Sequence, residues 1–113
     1  MPVLNIQIQP DLEPDLDVEG MLALFGTAAE IADAELEIIE DHEDGWFIDY
    51  CFRTRDLVRL WDLLQSNVLD QPRLGAAIAR AAIVTCEGPR GPDDYLLLHH
   101  YDRNVAVDQI SNR

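Results

Sequence analysis

From residue 3 to residue 9 apolar and polar side chains alternate, with Leu4, Ile6 and Ile8 on one side and Asn5, Gln7 and Gln9 on the other. A period of two is the mark of a half-buried strand, and Pro10 ends it because proline has no N–H to give a ladder. The period then changes. Val18, Met21, Leu22 and Phe25 follow the i, i+3, i+4, i+7 spacing of a helix with Asp17 as its N-cap. This helix is expected to run to about Ala32, weakened by Gly20 and Gly26. Alternation returns at Leu36 and Ile38, set between Glu35 and Glu37, which gives a second strand a carboxylate-bearing outer face. Asp44-Gly45 reads as a turn. A third strand follows, with Trp46, Ile48, Tyr50 and Phe52 on one face and Phe47, Asp49, Cys51 and Arg53 on the other. It is apolar enough on both sides for a central place in a sheet.

Thr54 is placed to cap a second helix beginning near Arg55, with Asp56 in its first turn and Leu57, Leu60, Trp61 and Leu64 on one inward stripe. Ser66-Asn67 is expected to break it, and Asp70 and Pro72 to restart a short helix through Ala79, with Leu74, Ala77 and Ile78 inward. Residues 82–87 read as a fourth strand, 88–94 as a loop and 95–101 as a fifth strand. The tail from Asp102 is open between a short strand around Val105 and Val107 and a frayed end. The order β-α-β-β-α-β-β predicts one α+β domain, a two-layer sandwich with an antiparallel sheet covered by helices on one face. It resembles the ferredoxin-like pattern with an added strand. That resemblance is one of topology, and such a fold hosts enzymes, regulators and binding proteins alike.

Charge changes the picture. Apolar residues make up 48% of the 113-residue chain, enough for a core, yet the net charge is −14. Residues 1–52 hold fourteen Asp and Glu and no Lys or Arg; residues 53–113 hold eight of each sign, every cation an arginine. Nucleic acid and anionic membranes would be repelled by the acidic half, whereas a basic protein surface or divalent cations would complement it. No stretch approaches the ~20 apolar residues of a membrane span, the richest, 74–86, being interrupted by Arg80. The start lacks the basic and apolar regions of a secretory signal, so a soluble, cytoplasmic protein is expected.

Three groups of side chains are candidate sites. Asp11, Glu13, Asp15, Asp17 and Glu19 occupy alternate positions, and in an extended chain would form a line of carboxylates ~6.6 Å apart, loosely like a phosphate backbone. Otherwise they are a solvated loop, with Asp17 and Glu19 serving the helix that follows. Glu30, Asp33, Glu35, Glu37, Glu40, Asp41, Glu43 and Asp44 put eight carboxylates in fifteen residues with no cation among them. Asp44 is explained by turn chemistry; the others suit a partner-binding surface or plain solvated acidity. An EF-hand is excluded, because Leu16 stands where the loop needs glycine. His99 and His100, with His42, Tyr101 and Asp102 as conceivable neighbours, are adjacent on a strand and point to opposite faces, so they cannot chelate one metal without a bulge.

No cofactor, catalytic residue or metal site is expected. The absence of lysine removes Schiff-base chemistry and a P-loop. Residues 88–91 lack dinucleotide-loop spacing, and Ser66 and Ser111 are poorly placed for a triad. Cys51 and Cys86 fall in apolar strand runs and read as reduced, buried hydrophobes. The expected function is therefore that of a non-catalytic acidic binding protein that occludes a basic surface on a protein partner. By charge and size it suits an inhibitor, an immunity protein to a toxin or a nucleic-acid mimic, as monomer or homodimer. The alternatives are a small enzyme or ligand-binding subunit using a histidine in a pocket, and a subunit that pairs an exposed edge strand with another chain.

Overall fold

The computed structural model describes residues 2–42 and 45–110, and only the backbone of Gly91 and Pro92. It contains β1 (Val3–Ile8), α1 (Val18–Ile31), β2 (Glu35–Asp41), β3 (Phe47–Arg53), α2 (Leu57–Leu64), α3 (Gly75–Ala81), β4 (Ala82–Gly88) and β5 (Gly91–His100). The strands form one five-stranded sheet in the order β2-β3-β1-β4-β5, with every neighbouring pair antiparallel. β3 is internal, as its two apolar faces require.

Register explains the core. Ile6 pairs with Tyr50 on one side and Val84 on the other; Leu4 pairs with Phe52 and Cys86, and Ile8 with Ile48 and Ala82. All nine are buried, and they share one face of the sheet. Met21, Phe25 and Ala28 of α1, Leu60, Trp61 and Leu64 of α2, and Ile78 of α3 complete the same cluster. Phe25 meets Tyr50 and Phe52 at ring separations of 4.8 and 5.9 Å, fixing α1 over β3. The residues of the opposite face are half-buried or exposed, as on a sheet face that no helix covers.

Local chemistry moves several boundaries. Asp17 caps α1 as expected, its carboxylate accepting from the Gly20 N–H at 2.9 Å. The second helix starts two residues later than the sequence suggests: Asp56, not Thr54, is the N-cap and accepts from the Arg59 N–H. Buried Thr54 uses its hydroxyl one step earlier, accepting from the Asp56 N–H. No break occurs at Ser66-Asn67. The chain widens into a π-helical turn at Gln65–Leu69, and Val68 enters the core, burial overriding the weak helical preference of the polar pair. The third helix accordingly begins only at Gly75, where the backbone passes so close to the Leu69 carbonyl that a β-carbon would collide with it.

At the other end, residues 88–94 are not a loop. Gly88 pairs with Gly91 across a tight Pro89-Arg90 turn, and β5 begins there. Among the described residues the tail forms no strand, but it is tied down. Leu97 donates its N–H to the Asp108 carboxylate and accepts from the Asp108 N–H, at 2.9 and 2.6 Å, and Ile110 packs against the core. No helix among the described residues is long and apolar enough to cross a membrane.

Candidate functional site: the acidic edge and open face of the sheet

Strand order turns a division in the sequence into a division in space. The first 52 residues supply β2, β3 and β1, which are contiguous, while β4 and β5 lie on the far side of β1. The acidic half of the chain is thereby the acidic half of the sheet, with β2 as its outer edge. On the open face the register gives rows across the strands: Glu35–Arg53–Val3, then Glu37–Cys51–Asn5–Thr85–Leu97, then Ile39–Asp49–Gln7–Ile83–His100. Asp41 and Phe47 close the β2–β3 pair. Neighbouring strands lie ~4.8 Å apart, so Glu35, Glu37, Asp41 and Asp49 form one patch there. Arg53 is the cation within it, bonding Glu37 at 3.1 Å.

The remaining carboxylates named from the sequence fall in different places. Glu40 lies on the opposite side of β2 but is exposed, accepting from the Trp46 indole N–H at 2.9 Å. His42 lies parallel to the Trp46 ring with centroids 5.8 Å apart and its Nε2 3.8 Å from Glu40. Glu30 is exposed near the end of α1, and Asp33 occupies the left-handed turn that ends it, at φ 53°. Glu43 and Asp44 lie outside the described residues. The alternating carboxylate line does not form: Pro10–Leu12 is a turn of 3-10 helix followed by further turns, as the rigid Pro10 and Pro14 favour. Glu13 turns to Arg80 of α3 in an ion pair, and Asp15 is exposed. Asp11 instead reaches the β2–β3 connection, where it lines a cavity of about 300 Å³ with Gln7, Gln9, Leu12, Gly45, Trp46 and Phe47. Asp11 of the first acidic stretch thus lies beside the start of β3.

The open face was legible in Asn5, Gln7, Glu35 and Glu37. Sequence reading missed Trp46, which continues the inward alternation of β3 yet is 37% exposed.

Other candidates have structural roles. His99 Nε2 lies 2.8 Å from the Ala79 carbonyl and donates to it; His100 Nδ1 accepts from the Asp102 N–H and its ring lies against Tyr101. His42 is at the opposite edge of the sheet from both. A cavity of about 650 Å³ lies between Pro2, residues 55–58, the β4–β5 turn and Ile110, and among the described residues no histidine lines it, the cavity beside Asp11 or a third beside α2. Among the described residues no group of three metal-type ligands converges. Cys86 is buried, but Cys51 is not the buried hydrophobe expected of it. It is half-exposed on the open face, where its thiol donates to Asn5 Oδ1 at 3.2 Å and the Asn5 amide donates to Asp49. The two cysteines lie on opposite faces with β1 between them, and both are free. Partial burial first, then the charges of Asp49 and Glu37, raise the Cys51 pKa; burial raises that of Cys86 from 9.0 to about 11. Neither is an activated nucleophile.

Comparison of the chain with protein-family models, with curated proteins and with solved structures gave no match in any of the three.

Proposed function

We propose that this protein is a non-catalytic cytoplasmic binding protein that occludes a basic surface on a protein partner, in the manner of an inhibitor or immunity protein. The observation that carries the reading is the placing of β2, β3 and β1 side by side, which gathers Glu35, Glu37, Asp41 and Asp49 on one flank of the sheet with Arg53 as the cation among them. A rigid anionic flank accelerates encounter with a cationic surface and competes with nucleic acid for it. The order β2-β3-β1-β4, with β1 antiparallel to both neighbours, supports a ferredoxin-like topology in which β5 is the added strand. In such a scaffold the open face is free to take part in binding.

The test is affinity capture from the source cells, followed by association kinetics with the captured protein. A stoichiometric basic partner is expected, with an association rate that falls steeply as ionic strength rises. Neutralising Glu35, Glu37 and Asp41 to Gln, Gln and Asn should slow association by about tenfold while leaving the fold intact. Unchanged binding by that variant, together with loss of activity in His100→Ala, would replace this reading with that of a histidine pocket.

A further inference from the structure

The two edges of the sheet are finished differently. The β5 edge is covered at Leu97, whose N–H and carbonyl are both taken by Asp108 of the tail. The β2 edge is finished otherwise: the sheet ends there, and among the described residues Glu35 to Glu40 are in register with β3 on the inner side and with no strand on the outer. An antiparallel strand at an edge turns the N–H and C=O of every second residue outward, which makes it a template for another strand.

Carboxylates alone on such an edge would be read as a guard against aggregation. β2 carries something more. At its centre Ile38 and Ile39, pointing to opposite faces, are 47% and 46% exposed. Each has apolar area to bury only if a further chain lies alongside. Around them Glu35, Glu37 and Glu40 set the charge that this chain must have.

We propose that β2 is a docking strand, and that the partner binds by adding to it an extended segment in which Arg or Lys alternates with β-branched residues. This names the manner in which the partner proposed above is held, and rests on that reading. A second copy of the chain is the wrong occupant. Antiparallel pairing of two β2 strands centred on Ile38 sets Glu35 directly opposite Asp41 at both ends, and like charges directly opposed destabilise a ladder. A basic strand reverses each of these contacts, while main-chain bonds supply affinity and the flanking isoleucines supply contact on both faces.

The probe is an acetylated and amidated peptide as long as β2, alternating Arg or Lys with Val, beside an analogue N-methylated at every second amide. Methylation removes ladder donors but no charge. Amide exchange of the intact protein is followed by NMR at low ionic strength. The unmodified peptide is expected to protect alternate β2 amides, the N-methylated peptide to bind about tenfold more weakly, and Ile39→Lys to weaken the unmodified peptide by a similar factor with an unchanged melting temperature. Equal binding of both peptides without β2 protection would overturn strand addition yet leave attraction by charge standing. No binding of either peptide would overturn it as well. A peptide-free dimer with the same amides protected would show the second copy to be the occupant and overturn the choice made here.

Discussion

Asp33 accounts for itself through the backbone. It takes φ 53° directly after α1, and the Ala34 N–H donates back to the Ala29 carbonyl at 2.8 Å, the wrapped ending in which a left-handed residue is required. Its anion sits at the negative end of the helix dipole, so the position suits the backbone of glycine better than that of aspartate. Asp33→Gly should therefore raise stability by about 1 kcal/mol in urea denaturation. The two cysteines make a contrasting pair. At neutral pH the Cys86 thiol, held near 11, should label with iodoacetamide only as fast as the protein unfolds. Cys51 should label in the folded state, though more slowly than an unstructured thiol. Because the folded value of Cys86 lies above 9.0, its contribution to stability is complete below pH 9 and is lost as pH rises through about 11. What the sequence showed of Cys51 was its apolar neighbours in the chain. What decides its environment is Asn5 across the sheet, and cross-strand partners are not visible in a linear pattern.

Elements with a strong period were legible, and those held by tertiary contact were not. β1, α1 and β3 are written in alternation or in helical spacing with a cap, so burial and local preference agree. The π-helical turn at Gln65–Leu69 and the late start of α3 arise because Val68 is drawn into a core built by distant strands. The glycines of the helices divide in the same way. At Gly26 a β-carbon meets open space, so Gly26→Ala should add about 0.5–1 kcal/mol to stability. At Gly75 it meets the Leu69 carbonyl, and Gly75→Ala should cost stability by a greater amount. Thermal melts of the two variants beside the parent protein give both signs. The tail supplies a third case: Asp108→Ala removes the side-chain acceptor of the Leu97 N–H. It should cost about 1 kcal/mol and raise amide exchange at Leu97.

Over the whole molecule the acidic run was legible as composition, but its shape was not. Sequence alone left open whether fourteen carboxylates were scattered around the surface or gathered. Strand order gathers Glu35, Glu37, Asp41 and Asp49 on the open face, while Glu13, Asp15, Glu30 and Asp33 lie elsewhere. Three arginines of the second half reach back: Arg53 to Glu37, Arg80 to Glu13, and Arg59 to the Ile31 carbonyl at the end of α1. Glu13, only 20% exposed in its pair, is committed to the fold and is a poor choice for neutralisation in a binding experiment, whereas Glu37 is 53% exposed in a surface pair that contributes little to stability. Repulsion on the acidic flank remains, so added salt should raise the urea midpoint, and neutralising Glu35, Glu37 and Asp41 should reduce that salt dependence.

The central place of β1 also bears on kinetics. Its two neighbours, β3 and β4, are drawn from some forty and eighty residues along the chain, so closing the middle of the sheet means closing long loops before much is gained. The nearer neighbour, β3, brings Asp49 and, through its hairpin with β2, Glu35, Glu37, Glu40 and Asp41 against the single cation Arg53, and Arg80 comes into place only when β4 docks. Early collapse therefore proceeds against its own charge. Stopped-flow refolding should accelerate with ionic strength more than unfolding slows, an asymmetry that a protein of the same fold with evenly mixed charge would not share.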